Sequence, residues 1–247
     1  MIEVVKSAIL GKNISLGENV KIGDRCKIGD NVTIGDGVVI AEKCRIENNV
    51  SIGYPTLSKK KDYYKDFPTT IGKNCLIRSG AIIYRACKLG ENNWINNYVI
   101  LRENTILGDN NVIGSHMMCE GYTEIGNMVS IYSLCALGGN MVVEDRVFIG
   151  PNVTTANNPR ALHGRGTISS TKRWEKDGLK IIDKGPTIRF GARIGIAAVL
   201  LADIEIGREA MVAAGAIVTK DVSPFSIVRG IPAKVVGSVP EHERFGE

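Results

Sequence analysis

The sequence predicts an all-β protein, a parallel β-helix built from very short strands joined by tight corners. Three observations predict it. An aliphatic residue returns every six positions, as in "VKIGDRCKIGDNVTIGDGVVI" (Val20 to Ile40), which carries Ile22, Ile28, Ile34 and Ile40. A small or slender residue stands two positions before each of these: Val20, Cys26, Val32 and Val38. Glycine, aspartate or asparagine often follows the anchor, where a corner needs unusual dihedrals. A helix returns a side chain to one face after three or four residues and a flat strand after two. Six fits a strand with two inward residues and then a corner. Three such hexapeptides close one triangular coil, and stacked coils pair each strand with those above and below.

The anchors fall in blocks. The first is Leu10, Leu16, Ile22, Ile28, Ile34, Ile40, Ile46 and Ile52. The second resumes at Ile71, Ile77, Ile83, Leu89, Ile95, Leu101, Leu107 and Ile113. Its register continues through Cys119, Ile125, Ile131, Leu137, Val143 and Ile149. The third is Ile188, Ile194, Leu200, Ile206, Val212 and Val218. These 28 anchors make about nine coils, so residues 1–247 read as one domain with a C-terminal extension over about 223–247.

Composition agrees with an aliphatic core: 44% of the chain is hydrophobic and only 6% aromatic. No apolar run reaches the length of a membrane helix, and the start "MIEVVKSAIL" lacks the order of a secretory signal. The net charge of +5 is dispersed, which argues against a nucleic-acid partner and for a cytoplasmic protein. Cys26, Cys44, Cys75, Cys87 and Cys135 precede anchors by two, and Cys119 is an anchor. They read as reduced, buried, apolar residues; with no CxxC spacing, no metal site is expected.

Two segments break the period, at 53–70 and 155–186, and long loops in a compact repeat are commonly functional. The first mixes lysines with Tyr63, Tyr64 and Phe67, suited to a nucleotide base and its phosphates or to packing on a neighbour. The second carries Arg160, His163, Arg165, Lys172, Arg173 and Trp174, a basic set suited to clamping an anionic ligand or to packing.

The stretch "MVAAGAIVTKDVSPFSIVRGIPAKVVG", Met211 to Gly237, resembles the terminal signature of hexapeptide-repeat acyltransferases, whose β-helix coils left-handed. "FIGPNVTTANNPRA", Phe148 to Ala161, resembles a segment of the branch that N-acylates nucleotide-linked amino sugars. The resemblance implies a homotrimer with acyl-CoA in the groove between adjacent prisms. It implies that backbone near Ala197 and Ala216 lines the pantetheine arm, and that Lys220 and Arg229 meet the coenzyme's phosphates. Small residues at Ala197, Ala198, Ala213, Ala214, Gly215 and Ala216 agree with a narrow ligand close to backbone.

The catalytic group is harder to place. The histidines are His116, His163 and His242. O-acetyltransferases of this kind keep a histidine before the proline where this chain has Asn158 in "TANNPR". Counting back by eighteens from Asn157 reaches Gly139 and Gly121, which move no proton. His116, three after Ile113, is expected to point outward at a strand start. A hydroxyl acceptor needs a general base, whereas a sugar amine attacks a thioester with little help. The sequence therefore favours N-acylation from acetyl-CoA, with Asn157 orienting the acceptor and His116 at most assisting. Sugar O-acetylation and a non-catalytic trimeric scaffold are the alternatives; a γ-type carbonic anhydrase would need three converging histidines at a spacing absent here.

Overall fold

The computed structural model describes residues 2–55, 68–158 and 184–245. Tyr63, Tyr64, Phe67, Arg160, His163, Arg165, Lys172, Arg173 and Trp174 lie outside the described residues. The rest is a parallel β-solenoid of three sheets. The first sheet runs from Glu3–Val4 to Glu205–Ile206 and the third from Ser15–Leu16 to Ile217–Val218, each with ten strands among the described residues. The second runs from Ile9–Leu10 to Lys234–Ser238 and has twelve. Partners lie one coil apart, as in Glu3↔Lys21, Lys27↔Arg45 and Ile82↔Ile100.

The solenoid thus has ten coils rather than about nine. The reason is chemical: Val4 and Thr155 also serve as anchors. Thr155 escapes a search for apolar residues. It is buried because its hydroxyl is satisfied, accepting the Gly138 N–H at 2.8 Å and donating to Met141 Sδ at 3.1 Å. From Ile22 onward every apolar anchor among the described residues is at most 3% exposed. Burying each large aliphatic side chain contributes roughly 1.5–3 kcal/mol before entropy is charged against it.

The corners follow from one dihedral. The third residue after most anchors has positive φ, as in Asn31 (56°), Asn92 (56°) and Asn152 (59°). Asparagine tolerates this region better than other side chains, and it ladders: Asn13 Nδ2 donates to Asn31 Oδ1 at 3.0 Å.

Both breaks in the period leave the same edge of the prism, where the third sheet turns into the first. The earlier one separates Ser51–Tyr54 from Thr70–Ile71, and the later one separates Thr154–Thr155 from Thr187–Ile188. Register survives both, since Ile71 pairs with Ile40 and Ile188 with Val143. This is called the insertion edge below. The edge where the second sheet turns into the third is called the histidine edge, because His116 lies on it.

The C-terminal extension closes the last coil. Ser226–Arg229 adds to Met211–Val212, and Lys234–Ser238 turns back antiparallel. The tail then folds onto the prism: Phe245 N–H donates to Glu209 Oε2 at 2.7 Å, and Arg193 pairs with Glu243 at 2.8 Å. All six cysteines are free and buried. Burial pushes the Cys87 and Cys119 thiols up to about 12.

Candidate functional site

The insertion edge gathers polar side chains around backbone that carries none. Its corner residues on successive coils are Glu120 and Gly121 after Cys119, Gly138 and Gly139 after Leu137, and Ala156 and Asn157 after Thr155. Glu120 and Asn157 stand two coils apart, about 10 Å along the axis at a strand spacing near 4.8 Å. Their long side chains close that gap across the glycines. Asn157 Nδ2 donates to Glu120 Oε2 at 3.1 Å, and Gly139 N–H donates to the same oxygen at 3.3 Å.

The glycines let the corners of successive coils pack closely. A Cβ on Gly139 would lie 2.8 Å from the Gly121 carbonyl oxygen and 3.5 Å from Glu120 Cβ. A Cβ on Gly138 would lie 3.0 Å from Asn157 Cβ. The returning end of the second insertion pins the same place. Lys184 N–H donates to Asn157 O at 2.8 Å, and Gly185 N–H donates to Gly139 O at 3.1 Å. The result is a half-buried carboxylate and carboxamide in a recess at the root of an insertion. Such a pair can accept a proton and orient an amine by hydrogen bonds.

Glu120 is the residue that counting by eighteens misses. The count lands on Gly121, next door, and assumes that side chains on one edge must stand at identical coil positions. The signal was present in "CEGY" and "LGGN": a carboxylate beside glycine, followed one coil later by two more glycines.

His116 lies on the histidine edge. It does not open a strand, because the third position after an anchor is the left-handed corner; its φ is 57° and the strand begins at Met118. The exposed ring stacks on Tyr98 with centroids 5.0 Å apart and planes at 18°. The third sheet separates it from Asn157, so one chain does not bring the two together. His242 is exposed in the short 3-10 turn Glu241–Glu243.

The residues assigned to the coenzyme divide between edges. Ala197 (φ 57°) is exposed on the histidine edge, three coils beyond His116, with Gly215 (φ 67°) next. Ala216 is fully buried; its N–H donates to Ala213 O and its carbonyl accepts from Val199 N–H. It therefore offers a ligand neither side chain nor free backbone, and exposed Ala214 and Gly215 form the outer surface there. Lys220 is exposed on the insertion edge, two coils beyond Asn157, and Arg229 is exposed at the end of its strand. Among the described residues no three His, Cys, Asp or Glu side chains gather to hold a metal, and no helix is long and apolar enough to cross a membrane.

Residues 25–56 and 86–116 match the model of the bacterial transferase hexapeptide family (six repeats). Serine acetyltransferase 4 of Arabidopsis thaliana is 34% identical over 117 residues, covering 47% of this chain and 31% of that protein. The serine acetyltransferase of Salmonella typhimurium is 36% identical over 101 residues, covering 41% of this chain and 30% of that protein. The chain therefore spans about a third of the length of these curated relatives. The crystal structure of Arabidopsis UDP-N-acetylglucosamine acyltransferase superposes with a TM-score of 0.54 at 17% identity, over 95% of this chain and 74% of that one. That likeness concerns the fold.

Proposed function

We propose that this chain, a hexapeptide-repeat β-helix protein, is an acyl-CoA-dependent N-acyltransferase for a nucleotide-linked amino sugar, with acetyl-CoA as donor. The observation that carries the reading is the Glu120–Asn157 pair over the Gly138–Gly139 recess. Asn157 and the recess hold the sugar so that its free amine faces the thioester. The nitrogen lone pair forms the new C–N bond, and the tetrahedral centre collapses by breaking the C–S bond. Glu120 takes the proton that the nitrogen sheds, and the departing thiolate is protonated to free coenzyme A.

A carboxylate serves as the base for an amine acceptor. It is strong enough for a nitrogen made acidic by attack on the thioester. Positioning supplies the remaining acceleration.

The coenzyme lies on this reading against Ala197, Ala214 and Gly215, with Lys220 and Arg229 offering cations to its phosphates. Because those groups occupy two edges, the groove needs a second prism, and the assembly is a homotrimer. Exposed Trp94, Tyr98, Tyr132 and Leu134 near the histidine edge, each at least 50% exposed, support a face covered by another copy.

The serine acetyltransferase relatives favour a second reading, acetyl transfer to a hydroxyl. Free-thiol release from acetyl-CoA separates the two. Nucleotide-linked amino sugars should give turnover, and the matching hydroxy sugars and serine should not. Turnover with the hydroxyl compounds alone would establish the second reading instead.

A further inference from the structure

Another cluster lies on the insertion edge, nearer the N-terminus than the Glu120–Asn157 recess. Tyr54 ends its strand on the third coil, and Tyr84 and Arg85 follow Ile83 on the fourth. Arg102 follows Leu101 on the fifth. The Tyr54 and Tyr84 rings meet edge to face with centroids 5.1 Å apart, and the Arg102 guanidinium sits 5.1 Å from the Tyr84 centroid. Glu103 holds Arg102 in place through contacts of 2.8 and 3.0 Å. Tyr54 is 44% exposed, so one ring remains open for stacking. Arg85 Nε is buried and has no hydrogen-bond partner among the described residues. Among the described residues one loose contact engages its guanidinium: Nη2 to Asp36 Oδ2 at 3.3 Å, with Asp36 itself 60% exposed.

Nothing in the packing of the coils calls for this arrangement. On several other coils of this edge the residue after the anchor is small, as at Gly17, Gly35, Gly138 and Ala156. A buried guanidinium N–H without an acceptor costs free energy unless a ligand completes it.

We infer that Tyr54, Tyr84, Arg85 and Arg102 form a subsite for the nucleoside diphosphate of the acceptor. The inference rests on the nucleotide-linked reading above. Tyr84 stands three coils from Gly139, about 14 Å along the axis at a strand spacing near 4.8 Å. An extended sugar diphosphate covers such a length, placing the amine at Glu120 and the base on Tyr54. Arg85 turns from Asp36 to the diphosphate, and its buried Nε gains an acceptor. Arg102 stays with Glu103 and stiffens the Tyr84 ring.

The test is calorimetric titration of the full chain with uridine diphosphate, with acetyl-CoA titrated in parallel to show that each variant is folded. Tyr54→Ala and Arg85→Ala should each weaken uridine diphosphate by roughly five- to a hundredfold, the range that base stacking supports. Acetyl-CoA affinity should not change. Tyr54→Phe should bind like wild type, since the ring remains. Asp36→Asn should bind several-fold tighter, because it removes the competing charge while keeping the oxygen that accepts Glu18 N–H at 2.9 Å.

Undiminished binding by Tyr54→Ala and Arg85→Ala would overturn this subsite and leave the nucleotide-linked acceptor standing. Binding of inorganic pyrophosphate as tight as uridine diphosphate would overturn the role of the rings. If uridine, thymidine, cytidine and guanosine diphosphates all fail to bind a wild-type chain that binds acetyl-CoA, the nucleotide-linked reading itself falls.

Discussion

Glu120 accepts two hydrogen bonds on one oxygen, so both its charge and its position bear on the proposed reaction. Glu120→Gln keeps the shape and removes the proton acceptor. It should lower kcat by roughly 10²-fold or more, the lower end of general-base loss. His116→Ala, on the other edge, should cost less than tenfold by the same scale. Steady-state kinetics on both variants decide it, and the opposite ranking would transfer the role to His116. Gly139→Ala tests the recess without touching charge: its Cβ must move the Gly121 carbonyl oxygen, 2.8 Å away. A loss of kcat/KM exceeding any loss of stability in thermal melts is the expected result. The thiols give a pH prediction. Cys87 and Cys119 ionise near 9.0 when unfolded but only at about 12 in the fold. Below pH 9 both states hold the proton and nothing changes. Between 9 and 12 only the unfolded chain releases it, so stability falls as pH rises through that window. Denaturant midpoints measured from pH 8 to 11 should drop, and a thiol reagent should label neither residue rapidly at pH 8 without denaturant.

At the scale of the coil, the column two before the second-sheet anchors changes character midway. Cys26, Cys44 and Cys75 give way to Asn93 and Asn111 before Val129. Asn93 Nδ2 donates to Gly108 O at 2.8 Å, and Asn93 Oδ1 accepts Asn111 N–H at 2.9 Å. Asn111 Oδ1 in turn accepts Val129 N–H at 2.7 Å. These amides stand in for backbone partners inside the prism. Asn93→Ala should therefore destabilise by about 1–3 kcal/mol, the cost of an orphaned buried group, whereas trimming the exposed strand residue Lys88 to alanine should cost far less. Chemical denaturation of the two variants provides the comparison. This column also shows how far the sequence could be read. Period six marked nearly every strand, because each strand must send one anchor inward whatever its neighbours do. It could not mark Thr155, Asn93 or Asn111, because the fit of a polar inward residue depends on the donors and acceptors around it. That information lies in the next coil, eighteen residues away. Glu120 was hidden for a related reason: its partner Asn157 stands two coils away.

At the scale of the whole molecule, the candidate groups lie on two edges of one prism. Asn157, Glu120 and Lys220 share the insertion edge, while His116, Ala197 and Gly215 share the histidine edge. The third sheet stands between them, so on the proposed function a single chain does not close acyl donor and acceptor into one pocket. On that proposal threefold packing resolves this, because a closed ring of identical subunits sets one edge of each prism against the other edge of its neighbour. Light scattering should therefore return a trimer. A mixing experiment goes further and tests whether the site itself is shared. Ala214→Trp should block the coenzyme on the histidine edge, and Asn157→Ala should misplace the acceptor on the insertion edge. Each variant alone should be nearly inactive while remaining trimeric. When the two are denatured together and refolded as mixed trimers, an intact histidine edge meets an intact insertion edge in roughly a quarter of the interfaces, by random order around the ring. Activity should return to about that fraction of wild type. Mixing without refolding should restore nothing. If refolded mixtures stay inactive while both variants remain trimeric, donor and acceptor meet within one chain, and the shared groove is ruled out.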